Sequence, residues 1–158
     1  MKLHRFYVEG VHNKWGPMEL ENQIWVHDSE LLNQWINVLR YREGDELILF
    51  NDETDRLYKV NKIEKPHSVG LNMVTELERK TPAKDIHLFF SLLKKDKNDY
   101  VIQKATELGA RVFVPIIAAR SEKTGFNFDR AIKIAKEAAE QCGRSDIPVI
   151  KEPITIQE

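Results

Sequence analysis

The pattern of apolar residues changes near residue 80, and this change constrains the fold more than any other feature of the 158-residue sequence. Before it, short apolar runs alternate with polar residues, as in His4–Val8, where every second side chain falls on one face of a strand. After it, apolar runs of strand length alternate with helical patterns. The polar, proline-containing segment 80–84 separates the two. The sequence therefore predicts two small domains, over residues 1–80 and 81–158.

The first domain is predicted to consist mostly of β-structure. Glu46–Phe50 and Leu57–Ile63 are apolar runs separated by a short polar loop, which is typical of a hairpin. Val69–Leu77 alternates again, with a slip that indicates a bulge. One helix, capped by Asp28 or Ser29, carries the apolar residues Leu31, Leu32, Trp35, Ile36 and Leu39. Several short strands with one helix favour a small β-barrel or sandwich.

The second domain is predicted to be an α/β unit. Its strands are Ile86–Leu93, Val112–Ile117 and Ile147–Ile150. The continuous apolar run of the first strand is expected of a strand covered on both faces. Because helical patterns separate the strands, the unit is β-α-β-α-β with a parallel sheet and right-handed crossovers. A sheet of three strands leaves one edge and one apolar face open.

Each predicted helix of this domain has a cap, an apolar stripe and a glycine at its end. The first is capped by Asp96 and buries Val101, Ala105 and Leu108, and the second is capped by Asp129 and buries Ala131, Ala135, Ala138 and Cys142. The lone cysteine is therefore predicted to be a buried structural thiol. Since it cannot form an intramolecular disulfide, we expect a reducing, cytoplasmic location.

Composition and motifs exclude several function classes. No apolar run approaches the roughly 20 residues of a membrane-spanning helix, and the first residues do not resemble a signal peptide. The net charge of −1 gives no general attraction to nucleic acid. The common nucleotide-binding, hydrolase and metalloprotease motifs are missing. The five histidines are dispersed without metal-ligand spacing, so no metal site is predicted.

Basic side chains cluster where α/β proteins bind ligands. Lys94, Lys95 and Lys97 follow the first strand of the second domain, and Arg120 and Lys123 follow the next. The carboxyl ends of parallel strands share one sheet edge, so these cations are expected to lie together and to attract an anion such as a phosphate backbone. The alternative is solvated loop charge.

Four further polar side chains lie on the predicted helices or at their ends. Lys104 and Glu107 are three residues apart and can simply pair on the helix surface. Gln141 and Arg144 bracket the end of the second helix, where an arginine also suits the helix dipole. Arg144 is expected to lie on the same rim of the sheet as Lys94 and Arg120.

A series of short strings, taken in order, resembles one family. They are His4-Arg5-Phe6-Tyr7-Val8, Asn37-Val38-Leu39-Arg40 with Gly44-Asp45, Lys94 with Asp96-Lys97, Ile102-Gln103-Lys104-Ala105-Thr106-Glu107-Leu108-Gly109, Pro115, Arg120-Ser121-Glu122, Glu137-Ala138-Ala139-Glu140-Gln141, Arg144 and Ile147-Pro148. The chain is similar to the 16S ribosomal RNA (uracil-N3) methyltransferases, members of the SPOUT superfamily with an N-terminal PUA-like domain. The resemblance implies a PUA-like RNA-binding β-barrel over residues 1–80 and the N-terminal part of a SPOUT domain over residues 81–158.

The resemblance ends before the segments that hold the cofactor. Members of the family continue into glycine-rich loops that thread a trefoil knot, bind S-adenosylmethionine and form much of a dimer interface. This chain ends at Glu158 without those loops. The resemblance therefore implies S-adenosylmethionine as the family's cofactor, but no cofactor-binding residue in this chain, and a homodimer for the complete protein.

The family transfers a methyl group to N3 of a uridine in 16S ribosomal RNA, so the implied partner is that RNA or the small ribosomal subunit, with no membrane. The resemblance implies Glu107 as a catalytic base and Arg120 and Arg144 as catalytic electrostatic stabilisers. It implies RNA contacts through Arg5, Arg40, Lys94, Lys97, Lys104 and Gln141. Two other functions fit the sequence: a non-catalytic RNA-binding or ribosome-assembly module, and an unrelated α/β domain that binds a small anionic metabolite.

Overall fold

The chain forms two compact units in a computed structural model, the first ending at Arg79 and the second beginning at Lys80. The structure describes residues 3–8, 12–13, 16–94, 96–121 and 126–156, and of residues 12–13 and 16–17 it describes the backbone alone. Each unit has its own hydrophobic core. The two units are therefore described separately.

A five-stranded sheet forms the frame of the first unit. In spatial order it contains β1 (Arg5–Tyr7), β5 (Glu46–Phe50), β6 (Asp55–Glu64), β7 (Ser68–Leu77) and β4 (Gln23–Val26). A separate antiparallel pair is formed by β2 (His12–Asn13) and β3 (Gly16–Pro17). β1 runs parallel to β5, and the other neighbours are antiparallel. The predicted β-structure is therefore present as a mixed sheet, but within the described residues no pairing of β1 with β4 closes it into a barrel.

The hairpin and the bulge predicted for this unit are both confirmed. β5 and β6 are antiparallel partners, and β6 continues into a second hairpin with β7. The register passes from the pair Leu57 and Thr75 to the pair Tyr58 and Met73. Val74 is therefore the extra residue, at the place where the alternation slips in the sequence.

The helix of the first unit begins at Asp28 and changes its winding after one turn. The Asp28 carboxylate accepts a hydrogen bond from the Leu31 amide over 2.9 Å, which caps α1 (Ser29–Leu32). The helix continues as a π-helical segment over Asn33–Val38. Trp35, 1% exposed, lies in the core with Leu31 and Leu32. The predicted cap and core residues of this helix are confirmed.

The second unit is built on parallel strands, as predicted. Its elements are β8 (Ile86–Ser91), α2 (Lys97–Glu107), β9 (Ala110–Ile117), α3 (Phe128–Cys142), β10 (Val149–Ile150) and β11 (Ile154–Thr155). β9 is central, with β8 on one side and β10 and β11 in succession on the other. Gly109 and Gly143 adopt positive φ values at the ends of the two helices, which glycine does without strain.

The core of this unit lies on one face of its sheet. Ile102 of α2 and Ala135 of α3 pack on Phe113 of β9. On the opposite face Phe89 is 58% exposed and Val149 is 50% exposed. The open apolar face is therefore confirmed, and the expectation that the first strand is covered on both faces is wrong, because β8 is an edge strand with helices on one side.

Three details of the helices differ from prediction. The buried stripe of α2 is Asn98, Ile102 and Thr106, while Leu108 lies beyond the helix and is 82% exposed. The prediction missed this stripe because it followed apolar residues, whereas the buried residues Asn98 and Thr106 are polar. α3 is capped by Asn127, which accepts from the Arg130 amide, and not by Asp129. Cys142 is exposed rather than buried, because it lies in the last turn of α3, outside the helix–sheet contact.

Candidate nucleic-acid interface

The carboxyl ends of β8 and β9 bring the predicted cations of two loops to one edge of the sheet. Ser91 is paired with Ile116, and the Leu92 amide donates to the Ile116 carbonyl over 3.0 Å, so the two strands end side by side. Lys94 follows β8 and Arg120 follows β9, and both are exposed. Lys97 opens α2 at this same edge. We call Lys94, Lys97 and Arg120 the cationic rim.

The side chains of the cationic rim are available to a ligand. Among the residues that the structure describes, none of the three has an ion pair or a side-chain hydrogen bond. Asp96 lies between Lys94 and Lys97 in the chain and is also exposed, but it forms no ion pair with these two described lysines, so the rim keeps an excess of positive charge that an anion can reduce. The predicted neighbours Lys95 and Lys123 lie outside the described residues. The rim is therefore an exposed cationic surface, with Lys94 and Arg120 in two loops and Lys97 at the start of α2.

Asn98 holds the first of these loops and was not predicted. Its Oδ1 accepts from the Leu93 amide over 2.9 Å and its Nδ2 donates to the Leu93 carbonyl over 2.8 Å. Asn98 is only 8% exposed, so both bonds are shielded from water. This pair of bonds fixes the strand-to-helix connection that carries Lys94 and Lys97. The signal in the sequence was a polar residue four positions before Ile102, on the buried stripe of α2.

The second loop is held by a hydroxyl and an ion pair. Ser121 Oγ accepts from the Ala118 amide over 2.8 Å, which stabilises the turn that contains Arg120. Arg130 Nη2 lies 2.7 Å from Asp99 Oδ2, and this ion pair joins the first turns of α3 and α2. The Asp99 carboxylate raises the pKa of Arg130, mainly through their hydrogen bond. The positive charge of Arg130 is thus already paired.

Arg144 lies at the opposite edge of the sheet, so the expectation that it shares an edge with Lys94 and Arg120 is wrong. Its Nη1 donates to the carbonyls of Thr106 and Ala110 over 3.0 and 2.9 Å. Its Nε and Nη2 donate to the two carboxylate oxygens of Asp146 over 3.0 and 2.6 Å. The reason is topological: Arg144 follows a helix, and a helix of a parallel unit ends near the amino ends of the strands.

Three further predicted site residues lie near this amino-end edge. Lys104 Nζ and Glu107 Oε2 are 2.8 Å apart at the end of α2, so the simple surface pair that the spacing allowed is present. The hydrogen bond with Glu107 raises the pKa of Lys104. Gln141 is exposed in the last turn of α3. An open cleft of about 440 Å³ lies here, between segment 80–84 and the ends of both helices.

The two arginines predicted to contact RNA in the first unit differ in burial. Arg5 forms an ion pair with Asp55, whose side chain is fully buried, and lies 4.8 Å from the centre of the Phe50 ring. Its own side chain is 12% exposed, so Arg5 is not an exposed phosphate contact. This ion pair was not predicted, because the two residues are far apart in the sequence. Arg40 is exposed and has a φ of 58°, in the left-handed region.

Within the described residues, no helix is long and apolar enough to cross a bilayer. The same part of the chain contains no group of three or more His, Cys, Asp or Glu side chains that could hold a metal ion.

Comparison with known protein families shows which family the chain belongs to. Residues 79–158 match the family described as RNA methyltransferase domain, and residues 36–69 match the family described as RNA methyltransferase PUA domain. The chain belongs to the RNA methyltransferase domain family. The family predicted from the sequence is thereby confirmed as an RNA methyltransferase family with a PUA domain.

Individual relatives agree with this family. The chain is 34% identical to ribosomal RNA small subunit methyltransferase E of Bacillus subtilis (strain 168) over 82% of its own length and 53% of that protein. It is 29% identical to the Rickettsia conorii protein of the same name over 100% of its own length and 62% of that protein. The chain thus spans between about half and two thirds of these relatives.

A solved structure has the same fold. It is the ribosomal RNA small subunit methyltransferase E of Neisseria gonorrhoeae bound to S-adenosyl methionine, with 25% identity and a TM-score of 0.80. The alignment covers 98% of this chain and 62% of that one. Both units of the present chain therefore have counterparts in a methyltransferase of known structure.

Proposed function

We propose that this chain forms the RNA-binding part of an S-adenosylmethionine-dependent methyltransferase that modifies N3 of a uridine in 16S ribosomal RNA. The family match over residues 79–158 is the observation that carries the proposal. The cationic rim supports it, because exposed cations without counter-charges are what a phosphate backbone requires. The proposed domains are a PUA-like domain over residues 1–80 and the N-terminal part of the methyltransferase domain over residues 81–158.

The chemistry of uridine explains why cations would serve such a reaction. N3 lies on the pairing edge of the base, so the target uridine must be unpaired or flipped out of its helix. N3 becomes a good nucleophile only when it loses its proton, and the negative charge then spreads onto O2 and O4. A fixed cation beside either oxygen stabilises that charge. In this chain Arg120 is the residue we propose for that role, with Lys94 and Lys97 contacting RNA phosphates.

The sheet separates the other proposed catalytic residues from Arg120. β9 contains eight residues, which at about 3.3 Å per residue makes it roughly 23 Å long. Glu107 precedes β9 and Arg120 follows it, so the two side chains cannot contact the same base. Arg144 lies near Glu107 and is bonded to Asp146 and two carbonyls. We therefore propose Arg120 alone of these three as a residue that touches the reacting uridine.

The remaining predicted RNA contacts lie elsewhere. Lys104 and Gln141 are near the amino-end edge, so RNA that touches them would do so apart from the cationic rim. Arg40 is exposed in the first unit and is proposed as a phosphate contact there. Arg5 is paired with buried Asp55, and we propose that it stabilises the sheet instead.

The described residues do not fit S-adenosylmethionine by themselves. The carboxyl-end edge of the sheet, where α/β proteins usually hold a cofactor, carries the cationic rim. The sulfonium of the cofactor is itself positive, and three unpaired cations repel it. Neither of the two clefts described in this chain lies at that edge. We therefore assign the rim to RNA and propose S-adenosylmethionine for the complete enzyme, because the Neisseria gonorrhoeae relative is bound to it.

This mismatch favours a second candidate function for the chain alone. A non-catalytic RNA-binding or ribosome-assembly module would need the rim and no cofactor.

For a complete protein of the relatives' length, we propose a cytoplasmic homodimer acting on 16S ribosomal RNA or the small ribosomal subunit.

Two measurements on the purified chain test both candidates. The first is binding of 16S ribosomal RNA by filter retention, and the second is calorimetric titration with S-adenosylmethionine, followed by transfer of its labelled methyl group to the RNA. We expect RNA binding in either case. Heat of binding and methyl transfer by this chain would contradict the module. RNA binding without either is expected of the chain under both candidates, and methyl transfer to the RNA by a protein of the relatives' full length then separates the enzyme from the module. A chain that does not bind the RNA at low salt contradicts both.

A further inference from the structure

A cleft of about 460 Å³ lies in the first unit, beside the π-helical segment. Its volume falls in the range of roughly 300–1,000 Å³ that is typical of small-molecule sites. Its lining includes apolar side chains, among them Leu32 and Ile36, together with a set of polar ones: Asn33, Asn37, His27, Lys65 and His67. π-helical turns are rare and are frequent at functional sites. No predicted site residue lies in this cleft.

The two asparagines present a paired donor and acceptor. Asn37 Nδ2 donates to Asn33 Oδ1 over 2.8 Å, and both side chains are exposed. One amino group and one carbonyl oxygen satisfy each other, which leaves the Asn33 amino group and the Asn37 oxygen for a ligand. If both side-chain amides were rotated by 180°, Asn33 would donate to Asn37, and one amino group and one carbonyl oxygen would still be left for a ligand. An adjacent donor and acceptor match the pairing edge of a nucleobase.

The histidines supply an anchored ring and an exposed ring. His27 Nδ1 donates to the His67 carbonyl over 3.3 Å, which fixes the orientation of its imidazole. His67 is exposed, and its ring has no hydrogen bond, ion pair or aromatic contact among the described residues. An exposed imidazole is one of the flat side chains on which unpaired bases stack.

The charges around the cleft leave one cation for a phosphate. Lys65 is exposed and has no ion pair within the described part of the chain. The neighbouring carboxylates are occupied: Glu64 lies 2.7 Å from Lys62 Nζ, and Asp28 caps α1. The pairing with Lys62 lowers the pKa of Glu64. A phosphate at Lys65 therefore meets no unpaired carboxylate from either residue.

We infer that this cleft binds one unpaired nucleotide of an RNA chain, with its base between His67 and the Asn33–Asn37 pair and its phosphate at Lys65. This inference rests on the proposed RNA-binding function and names a second contact, separate from the cationic rim. It requires a base that is not already paired, because the asparagine pair replaces the complementary base. A fully paired duplex should not enter the cleft.

The test compares the whole chain and its variants in binding a labelled single-stranded RNA of mixed sequence and the same RNA paired with its complement, by fluorescence anisotropy. His67→Ala should weaken single-strand binding about tenfold, within the range found for removal of a stacking side chain. His67→Phe should retain most of the affinity, because phenylalanine keeps a flat ring. Asn33→Ala with Asn37→Ala should weaken it similarly, and duplex affinity should not change.

Lys59→Ala is the matched control for Lys65→Ala, since both remove an exposed lysine of the first unit. Only Lys65→Ala should weaken single-strand binding beyond the effect of lost charge. Equal losses for single strand and duplex, or no rescue by His67→Phe, would overturn the inference. So would competition by free uridine or adenosine monophosphate as strong as that by the RNA chain. If the rim variants lose RNA affinity and the cleft variants do not, only the inference fails; if the wild-type chain binds neither RNA, the proposed function fails with it.

Discussion

Two arginines of the second unit show how the same side chain can serve different purposes at the two edges of one sheet. Arg144 is 6% exposed, and it donates hydrogen bonds to two carbonyls and to the Asp146 carboxylate. Arg120 is exposed at the opposite edge, with no partner among the described side chains. Burial and occupied donors make the first a structural residue. Exposure and donors without a described partner leave the second available to a ligand.

The same contrast occurs in the first unit. Arg5 is paired with buried Asp55, whereas Arg40 is exposed after the π-helical segment. The charge of an arginine therefore does not by itself indicate an RNA contact. The two arginines are distinguished by burial and by whether their donors already have partners.

Arg144→Ala gives the largest expected effect. The change leaves the Asp146 carboxylate and two carbonyls without their donor, which should cost about 3–5 kcal/mol of unfolding free energy. Urea denaturation measures it. The control is Arg120→Ala, which should change stability by less than about 0.5 kcal/mol. Similar losses of unfolding free energy in both variants would contradict the difference we assign to the two edges of the sheet.

Tyr41 tests whether buried polar groups control stability in the first unit. Burial, and secondarily the nearby Asp45 charge, raises the pKa of Tyr41 to about 12. Because the folded state holds this proton more tightly than the unfolded state, the stabilisation is complete below about pH 10 and is lost as the pH rises to about 12. The expected loss is about 2–3 kcal/mol. Denaturation of the wild type and of Tyr41→Phe across this range measures it, and a parallel fall in the variant would contradict the assignment.

Asn98→Ala should have a smaller effect on stability and a second effect on binding. It removes two hydrogen bonds to Leu93, worth about 1–2 kcal/mol together. It should also weaken RNA binding, because Lys94 and Lys97 lose their fixed positions. Asn61→Ala, at an exposed position of β6, is the control. RNA affinity equal to that of the control would remove Asn98 from the positioning of the rim.

The sequence predicted elements more reliably than contacts. β5 has the predicted bounds, and the slip near Val74 marked the bulge, because alternation of side chains directly reports the two faces of a strand. The edge on which Arg144 lies was also available in the sequence, since a residue that follows a helix of a parallel unit returns to the amino ends of the strands. The ion pair between Arg5 and Asp55 could not be predicted from the sequence, because no local pattern joins residues so far apart in the chain.

The salt dependence of RNA binding tests the cationic rim most directly, with the least effect on stability. Lys94→Ala, Lys97→Ala and Arg120→Ala are combined in one variant, and Lys80→Ala, Lys84→Ala and Arg111→Ala, at the amino-end edge, are combined in a control of equal charge. If the rim contacts three phosphates, its removal reduces the slope of log affinity against log salt concentration by about 2–3, while the control keeps the wild-type slope. Equal slopes for the two variants would contradict the account.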